Sequence, residues 1–225
     1  MISTKKDFMS YQILLSLLVI FNSAGCAANN KYVNTGTVDS LMSDPSKLKT
    51  LVLGGGCFWC IETIFQDIRG VEYVESGYSG GNTPNPTYQE VCTGKTGHAE
   101  VVRITYNPEV ISLDQLLTVF FHIHDPTTPN RQGADIGTQY RSVIFYSDEN
   151  EKNTAIRIMD EITSQKLWND PLVTELSPLG EFYRAEEYHQ NYYKNNPDKS
   201  YCSLVIAPKL RKFYRDFPHL LKDGK

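Results

Sequence analysis

Two cysteines three positions apart, Cys57 and Cys60, stand in the stretch LGGGCFWCIETIF (Leu53 to Phe65), where three glycines run into a thiol and two bulky aromatics follow. A thiol is nucleophilic only as its thiolate, and a helix N-terminus favours negative charge. The glycines let backbone N–H groups and an incoming partner come close to the sulfur. Cys57 is thus placed like an activated nucleophile, although this stretch alone equally allows a core cysteine that caps a helix. Phe58 and Trp59, adjacent on a helix, point about 100° apart, so one of them is expected to leave the core and line a pocket. Aromatic walls suit a small apolar group such as a methyl beside a soft sulfur. The C-x-x-C spacing serves either a dithiol couple or half of a zinc site. Neither Cys92, His98 nor the scattered histidines supply a matching second pair, and His122 and His124 fall on different faces of one helix, so no metal is expected.

The remaining thiols are Cys26, Cys92 and Cys202. Their spacing suits redox chemistry better than a disulfide framework, which a chain of 225 residues does not need. Net charge is -4, which gives no electrostatic footprint for nucleic acid. The one basic run, PKLRKFYR (Pro208 to Arg215), reads as a solvated helix face. Residues 1–25 read as a lipoprotein-type signal peptide: Lys5 and Lys6, then the apolar ILLSLLVIF (Ile13 to Phe21), then small residues up to Cys26. Lipidation of Cys26 is the preferred reading, ordinary cleavage near Ala27 the runner-up and an uncleaved hydrophobic terminus well behind both; all three place the domain outside the cytoplasm, in the cell envelope or periplasm. Residues 26–49 are a polar linker, and 50–225 form the catalytic domain with its C-terminal tail.

The elements that must hold these residues follow from periodicity. Lys49 to Gly55 reads as a buried strand ending in glycines, and Phe58, Ile61, Ile64, Phe65 and Ile68 recur at helical spacing up to Gly70. Strands are expected over Val71 to Tyr78, Ala99 to Pro108, Tyr140 to Tyr146 and Leu172 to Leu179. Helices are expected from Ser112 to His124, where Ser112 and Gln115 form a capping box, from Ser147 to about Lys166, and from Ala185 to Lys194. Gly80 to Tyr88 and Thr127 to Gln139 read as long loops, which inside a compact domain are usually functional. This order argues an α+β fold, a two-layer α/β sandwich with a ferredoxin-like core and long functional loops.

Three stretches together, GCFWC, GYSGGNTPNPTYQEVCTGKTGHAE and HDPTTPNRQGADIGTQYRS, resemble the peptide-methionine (S)-S-oxide reductase (MsrA) family from about Leu51 to at least Pro208. The resemblance implies Cys57 as nucleophile and Phe58 and Trp59 around the sulfoxide methyl. It implies Glu100 of GHAE as the acid near the sulfoxide oxygen, Tyr88 and Tyr140 as hydroxyls aimed at that oxygen, and Asp135 as a supporting carboxylate. The chemistry agrees. A sulfoxide oxygen leaves only when protonated or strongly hydrogen-bonded, a buried carboxyl with raised pKa can supply that proton at neutral pH, and hydroxyls can hold developing charge. The product is a sulfenic acid on Cys57, which a second thiol converts to a disulfide. Cys202, in the C-terminal segment where the family often carries this thiol, is preferred, with Cys60 as the alternative. The family's glycine-rich tail is replaced here by SLVIAPKL. The implied substrates are oxidised proteins and free methionine sulfoxide, the implied reductant is a thioredoxin-like protein, no cofactor is implied, and a monomer is expected. Two other functions fit parts of the sequence: a general dithiol oxidoreductase built on Cys57 and Cys60 alone, and a non-catalytic module that grips exposed methionines.

Overall fold

The computed structural model describes residues 45–225; the expected signal peptide, Cys26 and most of the expected linker lie outside the described residues. After a 3-10 turn at Pro45–Lys47 the chain enters β1 (Lys49–Gly54), α1 (Phe58–Gln66), β2 (Val71–Ser79), α2 (Tyr88–Cys92) and β3 (Ala99–Tyr106). It continues through α3 (Leu113–Ile123), β4 (Arg131–Gln132), β5 (Asp135–Ile136), β6 (Val143–Tyr146), α4 (Glu149–Ser164), β7 (Glu175–Pro178) and β8 (Phe182–Arg184). The last elements are α5 (Tyr192–Asn195) and α6 (Ala207–Asp216), the latter entered through a π-helical turn at Cys202–Ile206. Strands and helices thus form an α+β fold: one mixed six-stranded sheet in the order β7-β6-β1-β3-β2-β8, with β4 and β5 as a separate two-residue ladder. Within the large sheet only β6 and β7 run parallel.

Alternation along the strands decides what each face carries. Leu51 and Leu53 of β1, Val102, Ile104 and Tyr106 of β3 and Ile144 of β6 join the main core with Phe58, Ile61, Ile64 and Phe65 of α1 and Leu116, Leu117 and Phe120 of α3. Val52, Ala99, Val101, Val143 and Phe145 turn to the other face, where Leu179 and Phe182 pack on them. Glu100 therefore shares its side with Val102 and Ile104 and points toward the helices.

Several local expectations hold because their signals are local. Ser112 and Gln115 bond reciprocally at the start of α3. Gly56 adopts φ +92, and a Cβ there would lie 2.5 Å from Gln132 Cγ, so the turn before Cys57 requires glycine. Others need correction. Tyr88 does not close a loop: it is the first residue of α2, which a Thr87–Glu90 capping box starts. Tyr140 ends a 3-10 turn rather than opening β6. Asp148, not Ser147, caps α4. The expected helix from Ala185 to Lys194 is broken into a 3-10 turn and the short α5. Asn191 between them is left-handed at φ +53, and the Gln190 side chain bonds the backbone N–H and C=O of Ser76 in β2.

Candidate active site

Cys57 is the N-cap residue of α1 but makes no side-chain cap. Glu100 takes that place: its Oε2 accepts the Phe58 N–H at 3.1 Å. The carboxyl is buried at the start of β3, and burial pushes its pKa up to about 8 against the pull of that N–H. Glu100 is thus a protonated acid at neutral pH, with one oxygen on the helix end and an O–H to give.

Burial also pushes the Cys57 thiol well up, and Cys60 and the nearby Glu100 push it further. The sequence-based expectation of a thiolate stabilised by the helix N-terminus is therefore corrected. Glu100 already occupies that N-terminus, and the resting sulfur is a thiol. Cys60, one turn along α1, is hydrogen-bonded to Cys57, and that contact lowers its pKa.

Both aromatics after Cys57, not one, line the cavity over the sulfur. It measures about 190 Å³ and is walled by Cys57, Phe58, Trp59, Tyr88, Glu100, Asp135, Tyr140 and Tyr201. A volume of this size admits a side chain and little more. A larger groove of about 470 Å³ lies at the other end of α1, around Asp67 and Tyr214, away from the thiols. The Trp59 ring is stacked on Tyr192 at 3.6 Å, and its Nε1–H donates to His189 Nδ1 at 3.1 Å. Its edge meets the Tyr201 ring.

The hydroxyls come from separate elements. Tyr88 stands at the first position of α2, where its N–H donates to Glu186, and its hydroxyl rests on the Cys92 sulfur. Tyr140 is delivered by the 3-10 turn that Gly137 opens. Burial raises both phenols, so both stay O–H donors. Asp135 on β5 accepts the Tyr201 hydroxyl at 2.8 Å, and Tyr201 also touches both the Cys57 and Cys60 sulfurs. Cys202, the next residue, is fully buried in the main core at the π-helical turn and does not line the cavity.

The structure thus brings Cys57, Phe58, Trp59, Tyr88, Glu100, Asp135 and Tyr140 to one cavity, with Cys60 hydrogen-bonded to Cys57 and Cys202 in the core outside the lining. Tyr201, His189 and Tyr192 escaped sequence reasoning; the only signal for Tyr201 was its place beside Cys202. A buried thiol pair, a proton-bearing carboxyl and phenol donors around an aromatic slot can accept an oxygen atom from a soft sulfur and form a disulfide. Such a site and fold define a thiol oxidoreductase.

Comparison with known proteins narrows the class. Residues 49–220 match the family model described as peptide methionine sulfoxide reductase. The chain is 56% identical over 178 residues to peptide methionine sulfoxide reductase MsrA of Acinetobacter baumannii (strain SDF), covering 78% of this chain and 99% of that one. It is 53% identical over 171 residues to the MsrA of Trichodesmium erythraeum (strain IMS101), covering 76% and 97%. Among solved structures it is similar to reduced Mxr1 of Saccharomyces cerevisiae, with a TM-score of 0.64, 38% identity and coverage of 73% of this chain and 94% of that chain. It is likewise similar to methionine sulfoxide reductase A of Corynebacterium diphtheriae, with a TM-score of 0.60, 37% identity and coverage of 67% and 76%. The chain belongs to the peptide methionine sulfoxide reductase family, and its activity is the thiol-dependent reduction of methionine sulfoxide.

Proposed function

We propose that the protein repairs the S epimer of methionine sulfoxide, in proteins and as the free amino acid, by passing the oxygen to Cys57. One observation carries this: a carboxyl that keeps its proton at neutral pH stands at the same helix end as a buried thiol, in a slot with aromatic walls. The substrate methyl packs on Phe58 and Trp59, and its oxygen meets Glu100, Tyr88 and Tyr140. Glu100 gives its proton to the oxygen as the Cys57 sulfur attacks, and the thiol proton of Cys57 replaces it on the carboxylate. The oxygen ends on sulfur as Cys57 sulfenic acid, and methionine leaves. Asp135 acts through Tyr201, whose hydroxyl reaches the two sulfurs.

Cys60 then attacks the sulfenic sulfur, expelling water and leaving a Cys57–Cys60 disulfide. Its contact with Cys57 supports this order over the Cys202 route. Cys202 follows as the third thiol, and a thioredoxin-like dithiol takes the final disulfide. The βαββαβ run β1-α1-β2-β3-α3-β6, with spatial order β6-β1-β3-β2, supports the ferredoxin-like core. Tethering outside the cytoplasm through Cys26 remains part of the proposal, on the sequence of residues 1–26 alone, and the protein is proposed to act as a monomer.

The test is incubation of peptides carrying one defined sulfoxide epimer with the protein and dithiothreitol. The S peptide should lose one oxygen by mass and the R peptide should not. Equal turnover of both epimers, or of neither, would refute the proposal. Reduction of protein disulfides without loss of sulfoxide oxygen would favour the general dithiol oxidoreductase instead.

A further inference from the structure

We infer that Glu186 is a positioning residue for the sulfoxide reaction, holding Tyr88 against the cavity; this rests on the proposed roles of Cys57 and Tyr88. Glu186 follows β8 and lines neither the cavity nor the thiol contacts. Its two oxygens are nonetheless committed, one to a wall of the site and one to the strand beside Glu100. Oε1 accepts the Tyr88 N–H at 2.8 Å. Oε2 accepts the Tyr78 hydroxyl at 2.8 Å, and Tyr78 of β2 pairs directly with Glu100 of β3.

The same carboxylate also faces His189, the partner of Trp59. His189 Nδ1 accepts the indole N–H of Trp59, so the neutral ring carries its proton on Nε2. That buried Nε2 has no hydrogen-bond partner among the described residues, and it lies 3.9 Å from Glu186 Oε2. Burial holds His189 down at about 4, so the neutral ring is the form present at pH 7. One carboxylate therefore borders both the residue that presents a hydroxyl to the oxygen and the histidine that holds the indole, two rings that pack on each other at 4.5 Å.

The carboxylate is itself fixed. Gln190 clamps the segment to β2 through bonds to the Ser76 N–H and C=O and to the Ala185 C=O, and the Ala185 N–H bonds Ser76 as well. α2 has five residues and lies between two glycine-containing loops. Its capping box holds the helix end but not its distance from the cavity. The Glu186 bond supplies that tether, and catalysis is sensitive to misplacements of about 1 Å.

The experiment is a kinetic double-mutant cycle on the full chain, with a methionine-S-sulfoxide peptide and dithiothreitol. Glu186→Ala should lower kcat by about 10-fold or more when Tyr88 is present. In a Tyr88→Phe background, where the positioned hydroxyl is already gone, the same change should cost less than about 3-fold. Glu186→Gln keeps an oxygen for the Tyr88 N–H and should show the same coupling at smaller size, which covers the case in which the alanine variant does not fold. Equal fold-losses in both backgrounds, or kcat unchanged by Glu186→Ala, overturn the inference while leaving the proposed reaction standing. A parent protein inactive on the peptide overturns both.

Discussion

Glu100 and Cys57 compete for one helix end, and the outcome sets how the site handles protons. The Phe58 N–H goes to the carboxyl, so the helix does not ionise the sulfur. The resting form at neutral pH is then a neutral acid beside a neutral thiol. Glu100 loses its proton as pH rises through about 8, so the single-turnover rate of sulfoxide reduction should be high below that value and fall above it. Glu100→Gln should lower the rate by about 10²-fold and abolish that fall, with the deficit shrinking at low pH where solvent acid assists. Cys57→Ser should abolish turnover, because an alcohol at this position cannot attack sulfur; appreciable residual activity would remove Cys57 from the mechanism. Tyr88→Phe and Tyr140→Phe should each cost less alone than together, since either phenol can partly cover for the other. Most of this constellation was legible in sequence because its members sit inside contiguous motifs. His189 and Tyr201 were not, because each meets its partner, Trp59 or Asp135, across 130 or 66 residues of chain. Nor was the thiol's protonation legible, which depends on Glu100 arriving from a different strand.

At the scale of elements, α1 holds both the chemistry and a buried charge that the chemistry does not use. Glu62 is fully buried one turn after Phe58, and its Oε1 accepts the Asn191 N–H at the left-handed residue that opens α5. Burial raises its pKa from 4.5 to about 7 in spite of that bond. The folded protein therefore binds a proton that the unfolded chain releases between these values, and stability falls as pH rises through that window. Glu62→Gln keeps an acceptor for Asn191 and removes the ionisation. Urea melts should show a shallower loss of stability from pH 5 to 8.5, with the variant about 1–3 kcal/mol more stable than the parent at the upper end. The same junction shows where element prediction stops. Ser112 with Gln115 announces a helix start within four residues, whereas the break at Asn191 depends on Gln190 bonding to β2 and Glu62 bonding to α5, both more than 110 residues away.

In the whole molecule, Cys57 lines the cavity, Cys60 is hydrogen-bonded to it, and Cys202 is buried in the core within electrostatic reach of Cys60. Peptide mapping after one equivalent of sulfoxide, without reductant, should recover Cys57 linked to Cys60. A direct Cys57–Cys202 link as the first product would restore the preference drawn from family resemblance. Cys202→Ser should leave the first turnover at the parent rate and slow recycling by a protein dithiol. The order of β1, α1, β2, β3, α3, β6, α4 and β7 was readable from periodicity, whereas the short α2, β4, β5 and β8 were not; nor was the depth at which each thiol sits, which is set by the π-helical turn and the packing of α6. The resting protonation of Cys57 also bears on survival. Peroxide attacks thiolates far faster than thiols, and this sulfur is both protonated and 6% exposed. On the proposed mechanism the nucleophile would thereby be screened from the dissolved oxidants that create its substrate, giving up its proton only as a sulfoxide in the slot takes one from Glu100.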